Sequence, residues 1–492
     1  MKKFLTANWP LLVLLVLAVA TRFWNLGYPA EVVFDEVHFG KFVSAYFTHQ
    51  YYFDIHPPLG KLMIFVFSRI FGYAGGFPFL VIGEPHDSQM LLVLRFLPAL
   101  FGTLLIPLIY LLSRVLGLSR KAAFLAGLMI VFENAILVEA KFILLDMFLI
   151  FFGFAAVFFF ALSRKASGYK QLLFLVLAAI FSGLSMSIKW IGLAFWAMIC
   201  LFVLIDSFKK FNLKRFAAKA AILGLIPLAI YVLAFVPHFK LLYKSGPGDA
   251  FMSQDFQKTL QGNSLFSGTQ SRSFFKNFAE LNVQMYTSSA NLKSTHPDGS
   301  TWSDWLFMRR PIWYWDRDLQ TNIYLVGNPF IWYAVSPAIL LVLLNLIFDW
   351  PDIFKQKTEK RSWLWFLICG YFISLLPFAL MSRVVFLYHY LTPLIFGIII
   401  LAFFFDETLL VPQTAEEKAY KIKKLQEKGV VLPVKRNFLG FGSWGRLLFF
   451  FGVIVLLYLA FWFVSPLSYG LPISDKMAPT YSSLLRFLGK SY

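Results

Sequence analysis

The run Phe34 to Lys61 (FDEVHFGKFVSAYFTHQYYFDIHPPLGK) gathers Asp35, Glu36, His38, Lys41, His49, Asp54, His56 and Lys61 within 28 residues. The chain around it is 59% hydrophobic and only 14% charged. Adjacent carboxylates and histidines set among aromatics, against a low-dielectric wall, suit general-base chemistry and the handling of phosphate. The plainer reading is a solvated loop with incidental charges. Against it stands the density of ionisable groups directly after a long apolar segment, where stability gives no reason for them.

Four further segments hold polar groups at the ends of apolar runs. FENAILVEAKFILLD (132–146) carries Glu133, Asn134, Glu139, Lys141 and Asp146, and SIKWIG (187–192) carries Lys189. HPDGSTWSDWLFMRRPIWYWDRD (296–318) carries His296, Arg309 and Arg310. SRVVFLYHYLTP (382–393) carries Arg383, Tyr388, His389 and Tyr390. Ionisable residues at the edges of spanning helices are costly and usually functional. For any single one, snorkelling or mutual pairing is the structural alternative.

The elements that must position these residues are membrane helices. A mean hydropathy of +0.68 and 59 phenylalanines in 492 residues exceed what a soluble domain can expose. The fold class expected is an all-α polytopic membrane protein. Apolar runs of about 20 residues place about eleven spans: 9–27, 91–112, 122–138, 142–162, 171–188, 190–206, 218–236, 329–348, 363–381, 384–405 and 447–464. The run 59–82 is broken by Gly72, Gly75, Gly76 and Pro78 and polarised by Lys61 and Arg69. An amphipathic interfacial helix fits it better than a span.

Lysine and arginine set the orientation. With Met1 inside, roughly 25 of the 45 cations fall in the inner loops, as the positive-inside rule requires. The N-terminus is then cytoplasmic, and the acidic loop 28–90, the loop 237–328 and the tail from Ser465 are extracytoplasmic. All four polar segments fall on the side of Asp35. A cleaved signal peptide is the alternative for the first helix (Ala18, Val19, Ala20), but Arg22, Phe23 and Trp24 suit an anchor leading into the loop. Three regions follow: an N-terminal module 1–236, an outer loop 237–328, and a C-terminal module 329–492 with a cytoplasmic segment 406–446. Within these, TWSDWLFMRRPIWYW (301–315) reads as an interfacial aromatic element and 416–429 as a charged cytoplasmic helix.

The net charge of +19 belongs to inner loops, and no nucleic-acid partner is expected. Cys200 and Cys369 lie in apolar helices without metal spacing and read as small hydrophobes.

Taken in order, these segments resemble the protein O-mannosyltransferase family, membrane enzymes of the GT-C glycosyltransferase class. FDEVHFGKF and HPPLGK resemble its Asp-Glu loop and His-Pro-Pro element. RFLPALFGTLLIPLIY (95–110), KFILLDMFLIFF (141–152), SIKWIGL (187–193), GNPFIWY (327–333) and LYHYLTPLIF (387–396) resemble its helices. The chain departs from eukaryotic members, whose long outer loop carries a β-trefoil (MIR) domain. Here that loop has about 90 residues and no trefoil-like repeat, as in a prokaryotic member. A second departure is Glu133-Asn134, where the family has an aspartate-asparagine pair.

The resemblance implies a GT-C fold whose extracytoplasmic loops carry short juxtamembrane helices, in a multi-pass protein of the plasma membrane. It implies transfer of mannose from a polyprenyl monophosphate to Ser or Thr hydroxyls of secreted or membrane proteins, with inversion. Asp35 is then the expected base, with Glu36 beside it. Arg22, His56, Arg95, Lys189, Arg383, Tyr388 and His389 are candidates for the donor phosphate or sugar. Arg22 or Arg95 could equally anchor loop 28–90 by pairing with Glu36 or Asp54. Glu36 has an even structural alternative, since adjacent residues in an extended loop point apart. If Asp35 opens a helix running to Phe47, its carboxylate also gains the helix N-terminus. No cofactor is expected. His38 with Asp35 is the one place for a His/carboxylate metal site, and metal independence is the expectation. Lipid surrounds the chain, and the family pairs into homo- or hetero-dimers. Two rivals remain: a GT-C transferase acting on a lipid or glycan, and a transporter of lipid-linked sugars. The transporter would need midplane charges and symmetric halves.

Overall fold

A computed structural model describes residues 2–209, 211–268, 272–292, 295–348, 358–381, 383–410 and 442–490. The N-terminal half holds α1 (Lys2–Phe23), α2 (Glu36–Thr48), α3 (Leu59–Ile70), α4 (Ser88–Val115), α5 (Arg120–Val131) and α6 (Asn134–Lys141). It continues with α7 (Asp146–Lys165), α8 (Gly168–Met186), α9 (Leu193–Lys209) and α10 (Leu213–Leu241). Short helices α11 (Gln254–Gln257), α12 (Phe274–Ala290) and α13 (Trp302–Trp305) follow, then strands β1 (Ile312–Asp318) and β2 (Thr321–Leu325). The C-terminal part is α14 (Pro329–Phe348), α15 (Thr358–Leu375), α16 (Leu391–Phe405), α17 (Ser443–Tyr469) and α18 (Ala478–Phe487).

Among the described residues nine helices are long and apolar enough to cross a membrane, or ten if the bent pair α5–α6 is one span. The shorter apolar helix Asn8–Phe23 stands beside them. Each apolar run expected from the sequence falls on a helix, so residue composition alone fixed these elements. The run 122–138 is the one that departs: it breaks by 54° between α5 and α6.

That break is held by polar groups placed for it. Arg22 donates to the carbonyls of Val131 (2.6 Å) and Ile130 (2.5 Å) at the end of α5. Glu133 accepts from the Ala135 amide, which caps α6, and from the Asn328 amide and the Trp332 indole. Asn328 in turn donates to the Phe132 and Leu457 carbonyls. Broken backbone at membrane depth is tolerated only when protein satisfies it in this way.

Helix α3 has 12 residues, about 18 Å at 1.5 Å per residue, too short for a hydrocarbon core of about 30 Å. It buries Lys61, Leu62, Ile64 and Phe65 and exposes Val66, Arg69 and Ile70, as an interfacial helix should. Pro57 and Pro58 precede its first turn, where proline loses no helical hydrogen bond.

The outer segment departs from an all-α expectation. Strands β1 and β2 form an antiparallel hairpin pairing Ile312 with Leu325 and Trp313 with Tyr324, with a register shift before Trp315. The aromatic cluster expected at headgroup depth is instead interior: Trp305, Tyr314 and Trp315 are fully buried. Their polar atoms explain this, because each has an internal partner. Trp305 donates to Ser300, Tyr314 to Glu139 and Trp315 to Glu31. The charged helix expected over 416–429 lies outside the described residues.

Candidate active site

Loop 24–35 delivers Asp35 and Glu36 to the start of α2, and the two part company there. Phe34 sits at φ +45°, a left-handed conformation that costs a bulky L-residue about 1–2 kcal/mol. The hairpin holds it: the Phe34 amide donates to the Tyr314 carbonyl at 3.0 Å, and the two rings stack at 4.1 Å. Strain at such a point is retained when the surroundings over-determine it.

Glu36 turns inward. Its Oε1 accepts from Arg95 Nε (2.7 Å) and the Ile143 amide (2.9 Å), and its Oε2 from Arg95 Nη2 (2.8 Å) and the Val33 amide (2.9 Å). Both partners of this ion pair are fully buried. Arg95 spends its remaining donors on the carbonyls of Pro29 and Glu31. The pair therefore staples the acidic loop to α4. This is the anchoring alternative for Arg95, pairing with Glu36, and both side chains are fully engaged within the staple. Arg22 is buried as well: two of its nitrogens hold the end of α5, and its Nε has no hydrogen-bond partner among the described residues.

Asp35 is the opposite case. It is half-buried at the N-cap of α2, and its carboxylate makes no cap hydrogen bond. Burial raises this carboxyl above its ordinary value, opposed by His38 and Lys189 and reinforced by Asp146 and Asp54. A carboxylate so placed is a better base than a solvated one.

Around it the structure collects groups from distant parts of the chain. Lys189, before α9, donates to Asp146 at the head of α7 (2.7 Å). Its ammonium lies 5.7 Å from the Phe39 ring centre and 5.3 Å from that of Tyr388. Burial works against this charge, yet Asp146 outweighs it and holds Lys189 above its usual value. Lys61 binds the Asp54 carboxylate and the His56 carbonyl (2.9 Å), closing the His-Pro-Pro element into a ring. Burial works to raise Asp54, but Lys61 and His56 hold it below its ordinary value. Burial drives His56 down to about 3, so at neutral pH it is an uncharged hydrogen-bonding ring.

Lys189, His56 and Arg383 share the lining of a cavity of about 350 Å³ whose other walls include Ile191, Ala194, Ile373 and Phe378. It is an apolar slot with cations in its lining, the shape an anionic amphiphile needs. Tyr388 faces Lys189 across this region. His389 does not reach the cavity as a cation would. Its Nδ1 is engaged by the Phe386 backbone, and its ring stacks parallel to Trp305 at 5.9 Å. Among the described residues no three His, Cys, Asp or Glu side chains converge as a metal would require.

Asp146, Tyr314 and Phe34 were missed as site residues. Asp146 carried a signal, since it closes KFILLD at the same expected membrane face as Lys189 in SIKWIG. Tyr314 and Phe34 carried none, because their contact joins segments about 280 residues apart through a backbone bond.

Comparison with known proteins agrees with this arrangement. Residues 12–243 match the family model described as dolichyl-phosphate-mannose-protein mannosyltransferase, and residues 274–485 the C-terminal four-span region of protein-O-mannosyltransferase. The chain is 34% identical over 276 residues to dolichyl-phosphate-mannose–protein mannosyltransferase 4 of Candida albicans, covering 53% of this chain and 37% of that protein. It is 36% identical over 265 residues to protein O-mannosyltransferase 1 of Drosophila melanogaster, covering 51% and 30%. The matched stretch thus spans about a third of these relatives' own length. In three dimensions it is similar to the Saccharomyces cerevisiae Pmt1–Pmt2 complex bound to the sugar donor, with a TM-score of 0.84 at 20% identity over 100% of this chain and 93% of that one. ArnT of Cupriavidus metallidurans bound to undecaprenyl phosphate follows at 0.50 and 16%, over 98% and 73%.

The fold is that of the GT-C membrane glycosyltransferases. Within that class, the two family matches lie end to end along most of the sequence, and the Asp-Glu loop, His-Pro-Pro ring and Lys189 stand in one cluster. The chain belongs to the protein O-mannosyltransferase family.

Proposed function

We propose that this protein transfers mannose from a polyprenyl monophosphate to Ser or Thr hydroxyls of proteins, inverting the anomeric centre. The observation that carries the reading is the contrast within one dipeptide: Glu36 is fully engaged, and Asp35 is left without a cap hydrogen bond, under the charge of Lys189, which lines the apolar cavity. In this reading the acceptor hydroxyl oxygen attacks the sugar C1 and its proton passes to Asp35. The C1–O bond to phosphate breaks on the opposite face, and the electron pair leaves with the lipid phosphate. One base suffices, so no second carboxylate is needed as nucleophile. Lys189 and Arg383 line the cavity where the leaving phosphate would gain charge. His56, neutral, is a hydrogen-bond partner for sugar or phosphate. Tyr388 lies against the Lys189 ammonium.

The active site faces the extracytoplasmic side in this proposal, with the N-terminus cytoplasmic, as the lysine and arginine distribution requires. Residues 1–236 form the catalytic module, and the outer segment 237–328 supplies the hairpin that holds Phe34. The C-terminal module 329–492 supplies Arg383 and Tyr388. The working form is a homo- or hetero-dimer.

The test is direct. Wild type and Asp35→Asn are purified in detergent and given polyprenyl-phosphate mannose and a Thr-rich peptide, and the peptide mass is followed. The expected result is one added hexose with wild type and a loss of about 10²–10⁴-fold in the variant, with folding unchanged. Near-normal turnover by Asp35→Asn would place the base elsewhere. Labelling of lipid or glycan but never peptide would overturn the protein acceptor.

A further inference from the structure

A second polar cluster lies at the far end of α7. Arg164 is 18 residues beyond Asp146 on this helix, about 27 Å along its axis, close to one hydrocarbon thickness. It therefore sits at the membrane face opposite Asp35. Arg164 donates to Asp206 through Nε (2.9 Å) and Nη2 (3.2 Å), and Nη2 also reaches Ser362 (3.3 Å). Its guanidinium lies 4.6 Å from the Trp363 ring centre and 5.7 Å from that of Phe202, which fixes its plane. The remaining nitrogen, Nη1, is buried and has no hydrogen-bond partner among the described residues.

Two cavities adjoin this arginine. One, of about 360 Å³, is walled mainly by polar atoms and brings Ser163, Gln171 and Lys219 to Arg164 and Asp206. The other, of about 400 Å³, is mainly apolar, with Phe202, Ile205, Trp365 and Cys369 beside Arg361. Arg164 and Lys219 share the polar cavity with Asp206, and an unpartnered buried N–H on a guanidinium is costly. A planar fork with a spare donor suits a phosphate oxygen. A polar chamber next to an apolar slot at headgroup depth suits a phosphate that carries acyl chains.

We propose that this pocket binds an anionic phospholipid of the leaflet opposite the active site, its phosphate on Arg164 Nη1 and Lys219 and an acyl chain along Phe202 and Trp365. The site is separate from the donor cavity and does not depend on the reaction proposed above.

The experiment uses the full chain in neutral detergent, reading its melting temperature. The titrants are short-chain phosphatidylglycerol, phosphatidylcholine of the same chain length, and inorganic phosphate. Phosphatidylglycerol is expected to raise the melting temperature saturably. Lys219→Gln is expected to need about tenfold more lipid, as loss of one charge-assisted contact predicts. Arg164→Lys, which keeps the charge and loses the fork, should weaken the response as well. Lys214→Gln, on an exposed turn of α10, should respond as wild type. Equal stabilisation by phosphatidylcholine would overturn the proposal, as would an unchanged response in Lys219→Gln. If inorganic phosphate alone gives the full shift, the pocket holds a free anion and the lipid assignment falls.

Discussion

Replacing Glu36 by Gln tests whether this residue belongs to the chemistry or to the scaffold. The substitution keeps shape and removes charge. In the structure Glu36 accepts four hydrogen bonds, two from Arg95 and one each from the Ile143 and Val33 amides. A glutamine has one acceptor oxygen, so its amide group would meet N–H donors head-on. Arg95 would remain buried with its charge uncompensated. Breaking a fully buried pair from one side costs about 3–5 kcal/mol, a large share of the roughly 5–15 kcal/mol that holds a typical domain. The expected outcome is a marked fall in melting temperature in detergent. Transfer should fall only in proportion to the folded protein remaining. The double variant Glu36→Leu with Arg95→Met should recover part of the loss, because it removes both charges together. A Glu36→Gln protein that melts like wild type but transfers no sugar would refute the reasoning and return Glu36 to the reacting atoms.

Further outcomes follow from the same geometry. Because burial raises the Asp35 carboxyl, the acid limb of the rate profile should lie above the ordinary aspartate range, with activity lost as falling pH protonates the base; Lys189→Gln, which removes a cation holding that carboxyl down, should move the limb further up in a pH–rate measurement. His56 titrates near 3 when folded and 6.5 when free, so the unfolded chain binds the extra proton between those values. Stability should therefore decline as pH falls from 6.5 toward 3, and His56→Asn should flatten that decline in a pH series of melting curves. Phe34→Gly relieves the left-handed strain but loses the stack on Tyr314, and is expected to lower turnover severalfold with little change in donor affinity in steady-state kinetics. Arg383→Gln should weaken donor handling by about tenfold or more in kcat/KM, as loss of a charge-assisted contact predicts, while the melting temperature stays within a few degrees.

Apolar run length made the helices legible, because membrane spans are written in composition. The site was legible in part. Asp35, His56, Lys189 and Arg383 stood out as charges at one membrane face, and the structure brings the last three around one cavity. Glu36, Arg95 and Arg22 stood out in the same way, and the structure engages them with internal partners. A buried arginine bound to a carboxylate or to carbonyls has the same sequence signature as one waiting for phosphate, and only partner geometry separates them. The helix break at Glu133 was hidden because a kink satisfied by Asn328, nearly 200 residues on, leaves an unbroken apolar pattern. The hairpin was hidden by its irregular register and by polar residues that read as loop.

Helices α7 and α9 run side by side, tied by Asp146–Lys189, just before α9, at one membrane face and by Arg164–Asp206 at the other. The rungs stand about 27 Å apart along α7. Neither helix contains proline, whereas α4 and α10 each contain two. The pair is therefore a ladder of fixed height that cannot stretch or kink to suit its surroundings. A thicker bilayer must thin around it, at a fraction of a kcal/mol per ångström of hydrophobic mismatch, so membrane thickness becomes a variable the protein resists.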